Sequence, residues 1–319
     1  GGTGEGAHVL FIALYFAVVW LCTVRETAVV DVLGKYLTPL LLAGLTALIV
    51  AGVVNPAGRI AAASAGKGDI ALKGIIAGYE TMDMIAALFF GLIVINSLKA
   101  KGHAGGDRGF RHVGLAAFVA GALLFVVYGG LCYLGATVSA LYPHDVEPGL
   151  LVAEIAMRVL GPFGAVVLRI TAGLACLTTA VALTGCVGTF FRSLTKGRCS
   201  YKAVVTAACL VSAMVACLGL AAIIKLAAPI LLILYPGVIV VVTATLFGRS
   251  SRGGDRIVRY ACAGALAGSA FDVLGPSLPG IFVTLPLHVY GFGWLLPSLA
   301  CGTLGACTGR LGKRKCLET

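Results

Sequence analysis

Charge is what this 319-residue sequence has least of. Asp, Glu, Lys and Arg together make up 12% of it, about half of the roughly 25% usual for a soluble domain. Hydrophobic residues reach 59% and the mean hydropathy is +1.02, so a soluble globular chain is excluded. Acidic residues are the scarcer sign, 13 against 24 basic, for a net charge of +11. The basic residues sit in short runs between long apolar segments, which is the pattern of membrane-flanking charge and not of a nucleic-acid surface. The constellations of an enzyme or a pump are missing too. The five histidines (His8, His103, His112, His144, His288) have no paired spacing and no cysteine partner, and the 11 cysteines contain no C-x-x-C pair. No G-x-x-x-x-G-K-[ST] or G-x-S-x-G segment is present. Metal-dependent catalysis, ATP-driven pumping and intramembrane hydrolysis are left without residues to carry them. We therefore expect no enzyme, no cofactor and no nucleic-acid partner, and an ion gradient as the energy source if transport is the task.

What the sequence has in quantity is apolar run length. At about 20 residues per spanning helix, it has room for eight to ten helices, and low-charge windows mark nine: about 8–23, 36–54, 75–98, 112–137, 162–191, 203–221, 226–247, 257–275 and 289–308. The expected fold is all-α, a polytopic helix bundle in one integral membrane domain over residues 1–319, with the lipid bilayer as its solvent. Most of the cysteines lie inside these windows (Cys22, Cys132, Cys176, Cys186, Cys209, Cys217, Cys262, Cys301, Cys307) and read as small packing residues. Glycine is abundant, 44 residues, and Gly264-x-x-x-Gly268 has the spacing that lets two helices approach closely in lipid. The sequence opens on Gly-Gly-Thr-Gly-Glu and is deep in an apolar run by Val9, so it reads as part of something longer, incomplete at its N-terminus.

If nine spans alternate, 18 of the 24 basic residues fall on one side, five on the other, and Arg169 lies within a span. The rich side includes Arg25, Lys35, Arg192, Lys196, Arg198, Lys202, Arg249, Arg252 and Arg310. The positive-inside rule then predicts a cytoplasmic C-terminus and an outer Gly1 in the cell membrane. Two longer connections, 55–74 and 138–161, fall on the outer side. The second carries Tyr142, Pro143, His144, Asp145, Glu147 and Glu154, and the apolar spacing of 151–160 predicts an interfacial helix. Lys225 is expected to close a tight outer turn, and Arg169 to reach the outer end of its span.

The segment richest in chemistry is Gly78-Tyr79-Glu80-Thr81-Met82-Asp83, placed inside what would otherwise be a continuous span. A central Asp costs about 2.5–3.5 kcal/mol on insertion scales, so two carboxylates there should face a wet cavity. A Gly-Tyr-polar cluster in mid-span suits a discontinuous helix, whose freed N–H groups and carbonyls point at a bound zwitterion. On this reading the backbone at Gly78 to Thr81 binds substrate, and Asp83 either caps the following half-helix or joins a cation or proton step. The alternative is that Glu80 and Asp83 cap an ordinary helix near the outer interface. Thr178-Thr179, with Thr171 and Thr184, offers hydroxyl oxygens to a small cation such as Na⁺, or else bonds its own helix backbone. Tyr235-Pro236-Gly237 is expected to interrupt its span, either as a moving element or as a structural kink. Arg169, Asp272 and Lys225 carry no mechanism on this reading.

The run from Gly78 to Gly91, continuing Ile93-Val94-Ile95-Asn96, resembles the GY-x-TMD-x-x-A-A-x-x-FG signature of branched-chain amino acid carriers of the BrnQ type. Asn55-Pro56-Ala57-Gly58, Thr178-Thr179-Ala180-Val181 and Tyr235-Pro236 are similar as well. The resemblance covers nearly the whole sequence. It implies a twelve-helix protein of the amino acid–polyamine–organocation superfamily with a LeuT-like five-plus-five inverted repeat, of which the first three helices would be lacking here. It implies a symporter for leucine, isoleucine and valine, driven by Na⁺ or H⁺. It also implies substrate contacts at Gly78, Tyr79, Thr81, Met82 and Asp83, and Na⁺ contacts at Thr178 and Thr179. Glu80 stands where the resembling sequences carry an apolar residue. The competing expectations are a transport-inactive truncated remnant or scaffold and a carrier for another amino acid. The oligomeric state is left open.

Overall fold

The computed structural model describes residues 2–26, 29, 32–61, 67–100, 102, 106–142, 146–247, 254–274, 287 and 291–315. His103, Pro143, His144, Asp145, Arg249, Arg252 and His288 lie outside the described residues. Among the described residues there is no strand. The helices are α1 (Gly2–Thr23), α2 (Thr38–Val54, entered through a π-helical turn at Leu33–Leu37), α3 (Lys67–Glu80), α4 (Asp83–Ala100), α5 (Gly106–Thr137), α6 (Pro148–Leu160), α7 (Gly164–Leu194), α8 (Tyr201–Ala216), α9 (Leu220–Phe247), α10 (Gly254–Leu274) and α11 (Leu295–Lys315). Among the described residues, six helical stretches are long and apolar enough to cross a membrane, or seven if the bent pair α3–α4 counts as one span. Two shorter apolar helices, Tyr201–Ala216 and Leu295–Ala306, lie where two further spans are expected.

Local sequence explains most of the element boundaries. Pro39 has no N–H for the carbonyl four residues earlier, and the chain responds with a wider turn in which the Thr38 N–H bonds Leu33 O. Pro148 opens α6 at a position where a missing N–H costs nothing. Gly161, at φ +64°, ends it. The Gly161–Phe163 3₁₀ turn leads directly into α7, and the two helices meet so closely that a Cβ at Gly164 would overlap the Ala156 carbonyl. The helix predicted at 151–160 is therefore present as α6. Ser200 caps α8, its Oγ accepting from the Ala203 N–H at 3.2 Å.

Two boundary expectations are corrected. Lys225 lies inside α9 and closes no turn; the turn sits at Cys217–Gly219, where Gly219 has φ +84°. Hydropathy registers the charge of Lys225 but not the backbone freedom of a glycine six residues earlier. Helix α9 also runs unbroken through both Pro229 and Pro236, because a proline removes one hydrogen bond of a long ladder without ending it.

The chain divides into two compact units. The first comprises residues 1–66 and 89–217. One of its cores is Val19, Val29, Val181, Tyr201, Val205 and Cys209, joining α1, α7 and α8. Tyr201 Oη donates to Thr23 O (3.0 Å), and Gly188 lets α7 pass the Tyr201 ring, which a Cβ would approach to 2.5 Å. The second core is Leu48, Leu134, Val138, Ile155 and Ala156, from α2, α5 and α6 with their flanking turn.

The second unit comprises residues 67–88 and 218–319. Its core is Val240, Ala265 and Trp294, with Tyr79, Ile239, Ala261, Cys262 and Phe292 packed against it. Helices α10 and α11 form its tightest pair. A Cβ at Gly264 would overlap Pro297 O, and one at Gly268 would come within 2.8 Å of Trp294 Cα, so the Gly-x-x-x-Gly spacing is used for close backbone approach.

Candidate functional site

In the second unit, α3 ends at Glu80 and α4 begins at Asp83, and the pair is bent by 45°. Met82 makes the corner: its φ of +52° lies in the left-handed region, which costs a non-glycine residue about 1–2 kcal/mol. The corner is held by the Met82 N–H bonding Tyr79 O at 3.2 Å, and the Ile85 N–H bonding Met82 O at 3.3 Å. Thr81 Oγ1 donates to Gly78 O at 2.8 Å. Thr81 and Met82 thus form one break in the helix, flanked by Gly78 and Tyr79 in the last turn of α3 and by Asp83 at the start of α4. Asp83 lies in the first turn of α4, where the N–H end of a helix favours negative charge. The end of α3 presents carbonyls and the start of α4 presents N–H groups, the polarity that suits an ammonium on one side and a carboxylate on the other. Nothing stands within 4 Å of a Cβ placed on Gly78, so that backbone is open to approach.

Tyr79 fixes the last turn of α3. Its ring meets Tyr235 edge-on at 5.0 Å between centroids and Phe292 at 5.1 Å. Trp294 is 6% exposed. Its indole N–H, close to the Tyr79 hydroxyl, has no partner of hydrogen-bond geometry among the described residues. Gly293 packs directly on the Asp272 carboxylate. Tyr235, expected to mark a break, instead serves as an aromatic wall for Tyr79. Phe292, Trp294 and Asp272 were not legible as partners of the Gly78–Asp83 segment, because they lie some 190 residues or more further along the chain and share no spacing with it.

In the first unit, Thr178 and Thr179 line a cavity of about 340 Å³ together with Leu33, Gly34, Thr38, Phe90, Ile93, Val94 and Ala182. Thr178 Oγ1 donates to Ala175 O at 2.8 Å and Thr179 Oγ1 to the same carbonyl at 3.0 Å. Each hydroxyl spends its proton on the helix backbone and keeps its oxygen lone pairs available to a cation. The two readings of these threonines are therefore compatible. Thr38, at the foot of the π-helical turn, brings a third hydroxyl to the wall; its signal in the sequence was the adjoining Pro39. Thr171 does not join the cavity, being buried against Gly44 of α2, and Thr184 does not line it either. Phe90 comes from α4, which is tied to α7 by the Cys186 thiol donating to Phe89 O at 3.4 Å. The Gly78–Asp83 group and the Thr178–Thr179 group belong to different compact units.

Comparison with known proteins assigns the chain to a family. The sequence matches the family described as "Branched-chain amino acid transport protein" over residues 3–311. It is 35% identical to the branched-chain amino acid transport system 2 carrier protein of Pseudomonas aeruginosa, over 98% of this chain and 73% of that protein. It is 32% identical to the branched-chain amino acid permease BrnQ of Bacillus subtilis, over 93% of this chain and 69% of the relative. The permease BraB of the same organism is 31% identical over 93% and 68%. No solved structure matches the chain. A multi-helix membrane chain whose broken helix carries the carrier signature, and which matches this family along nearly its whole length, belongs to the branched-chain amino acid transport proteins, a family of membrane carriers and not of enzymes.

Proposed function

We propose that this chain works in a secondary active symporter that takes up leucine, isoleucine and valine across the cell membrane, driven by a Na⁺ or H⁺ gradient. The observation that carries the proposal is the 45° break at Thr81–Met82, placed inside the Gly78–Asp83 signature of a chain that belongs to the carrier family. In this reading Gly78, Tyr79, Thr81, Met82 and Asp83 hold the amino acid. The α4 N-terminus receives the substrate carboxylate, and the α3 C-terminal carbonyls receive the ammonium. Thr178 and Thr179 contribute oxygen ligands to a co-transported Na⁺, in a cavity where Thr38 adds a third. Side-chain discrimination is loose, since one methylene in an apolar pocket is worth only about 1–3 kcal/mol. The fold in this reading is LeuT-like with nine spans in this chain, the basic-rich loops and C-terminus cytoplasmic, as supported by the charge asymmetry.

The test is a cysteine at Thr81 in a background whose native cysteines have been replaced. Its maleimide reactivity in membranes is expected to fall when leucine and Na⁺ are supplied together, and to recover when leucine is replaced by a dicarboxylic amino acid. Reactivity indifferent to every ion and amino acid would overturn the proposal in favour of a transport-inactive scaffold. Protection by another amino acid but not by leucine would reassign the substrate.

A further inference from the structure

We infer that a cleft at one end of the first unit binds the phosphodiester group of an anionic lipid. The cleft, of about 450 Å³, is lined by Val24, Arg25, Glu26, Arg192, Tyr201 and Lys202, with Gly197, Cys199 and Ser200 from the connection between α7 and α8. It is built where three apolar helices end together. Helix α1 stops at Thr23, α7 at Leu194, and α8 starts at Tyr201; Tyr201 Oη on Thr23 O ties the first and the last. Both α1 and α7 belong to candidate spans that finish here, and a bilayer crossed by those spans would set its phosphates near the cleft.

Its charge is unbalanced. Three cations, Arg25, Arg192 and Lys202, face one carboxylate, Glu26. Arg192 Nη1 donates to Glu26 Oε2 at 2.6 Å, and Thr189 Oγ1 donates to Glu26 Oε1 at 3.4 Å. That pair links the α1 end to the α7 end at an exposed position, where an ion pair contributes little to stability. Among the described residues, Arg25 and Lys202 have no ion-pair partner, which leaves a net charge of +2 in a concave site. The first turn of α8 adds the positive end of its dipole. A phosphate, with several acceptor oxygens, satisfies this donor set better than a carboxylate would.

The geometry favours a lipid over a free anion. The cleft is open, and the helices that end at it carry exposed apolar side chains in their last turns: Leu21 is 65% exposed and Leu194 63%. These can accept the acyl chains of the molecule whose phosphate the cations hold. Basic pockets of this kind between transmembrane helices suit anionic headgroups on the cytoplasmic side. The leaflet rests on the orientation proposed above; the lipid site itself does not depend on the transported substrate.

The experiment uses the chain in nanodiscs of phosphatidylcholine with a minor fraction of phosphatidylglycerol, and counts both lipids retained per protein after detergent exchange. The unmodified chain is expected to retain phosphatidylglycerol over phosphatidylcholine, and R25Q/K202Q to lose about tenfold of that preference. E26Q raises the net charge of the cleft and is expected to increase retention severalfold. This sign separates a binding site from a structural clamp, for which breaking the Arg192–Glu26 pair would lower it. R198Q, in the same connection but outside the cleft, is expected to change nothing. Equal retention by the unmodified chain and R25Q/K202Q, or a fall in E26Q, would overturn the inference. Displacement by inorganic phosphate with no preference between the two lipids would overturn it in favour of a free-anion site. Cys199, which lines the cleft and is exposed, is expected to react with an impermeant maleimide only in inside-out vesicles. Reaction only from the outside would overturn the leaflet and the orientation, while the lipid count would still decide the site.

Discussion

Replacing Tyr79 by alanine removes the side chain that anchors the end of α3 just before the helix breaks, and its cost can be worked from the structure. Two edge-on ring contacts are lost, to Tyr235 at 5.0 Å and to Phe292 at 5.1 Å. The usual cost of truncating a buried aromatic in a soluble core, about 3–5 kcal/mol, includes transfer out of water. Lipid tails are as apolar as a protein core, so that transfer contribution largely disappears here and packing remains. Two aromatic pairs at about 0.5–1.5 kcal/mol each predict a loss of about 1–3 kcal/mol. Tyr79→Phe keeps both contacts and should lie within about 0.5 kcal/mol of the unmodified protein, since the indole N–H of Trp294 next to the hydroxyl is already without a well-formed bond. The assay is built in: the chain has two tryptophans, and with Trp20 changed to phenylalanine the remaining Trp294 lies in the same cluster and reports on it. Denaturation in lipid–detergent micelles, followed by Trp294 fluorescence, should show Tyr79→Ala shifted and Tyr79→Phe unshifted. An unshifted transition for Tyr79→Ala would refute the idea that this ring ties α3 to the rest of its unit. A loss of 5 kcal/mol or more would refute the claim that only packing is at stake.

Three further outcomes are expected. Gly264→Leu forces a side chain into the Pro297 carbonyl, and overpacking of about 1–3 kcal/mol should separate α10 from α11, visible as new protease cleavage or a lowered midpoint, whereas Gly74→Leu, with nothing within 4 Å of its Cβ, should be silent. Thr178→Val with Thr179→Val keeps the volume of both side chains and removes two hydroxyls that otherwise bond only Ala175 O among the described residues; the apparent KM for Na⁺ in leucine uptake should rise about tenfold with the unfolding midpoint nearly unchanged, and an unaltered Na⁺ dependence would remove these threonines from the ion site. Met82→Gly should relieve the left-handed strain by about 1 kcal/mol, while Met82→Val, with a β-branched side chain at φ +52°, should destabilise the corner; equal stability of the two variants would show that the corner does not hold that geometry.

Much of the architecture was legible in the residues because, in lipid, apolar run length and backbone satisfaction leave helices as almost the only choice. The windows around α1, α2, α5, α7 and α10 were found for that reason, and so was the break at Gly78–Asp83, since carboxylates in mid-span announce themselves by their cost. The family, too, was legible from that one segment. Other features depended on conformation. The turn at Gly219 escaped because hydropathy carries no φ value, and Pro236 proved compatible with a continuous α9 because one missing hydrogen bond is a small part of a helix of 28 residues.

The composition and order of the residues alone determined that the chain is a helical membrane protein with a discontinuous helix within Gly78–Asp83, and the resemblance carried by that segment marked it as a carrier. Only the tertiary structure decided what surrounds that helix and what meets elsewhere. It put Tyr235, Phe292 and Trp294 around Tyr79, brought Thr38 to the wall of the Thr178–Thr179 cavity, and set Arg25, Arg192 and Lys202 around one cleft. The physical reason is the same in each case. Periodicity and charge act between near neighbours in sequence, whereas a site is closed by side chains from helices far apart in the chain, whose meeting depends on the fit of whole helix surfaces at positions such as Gly188, Gly264 and Gly268.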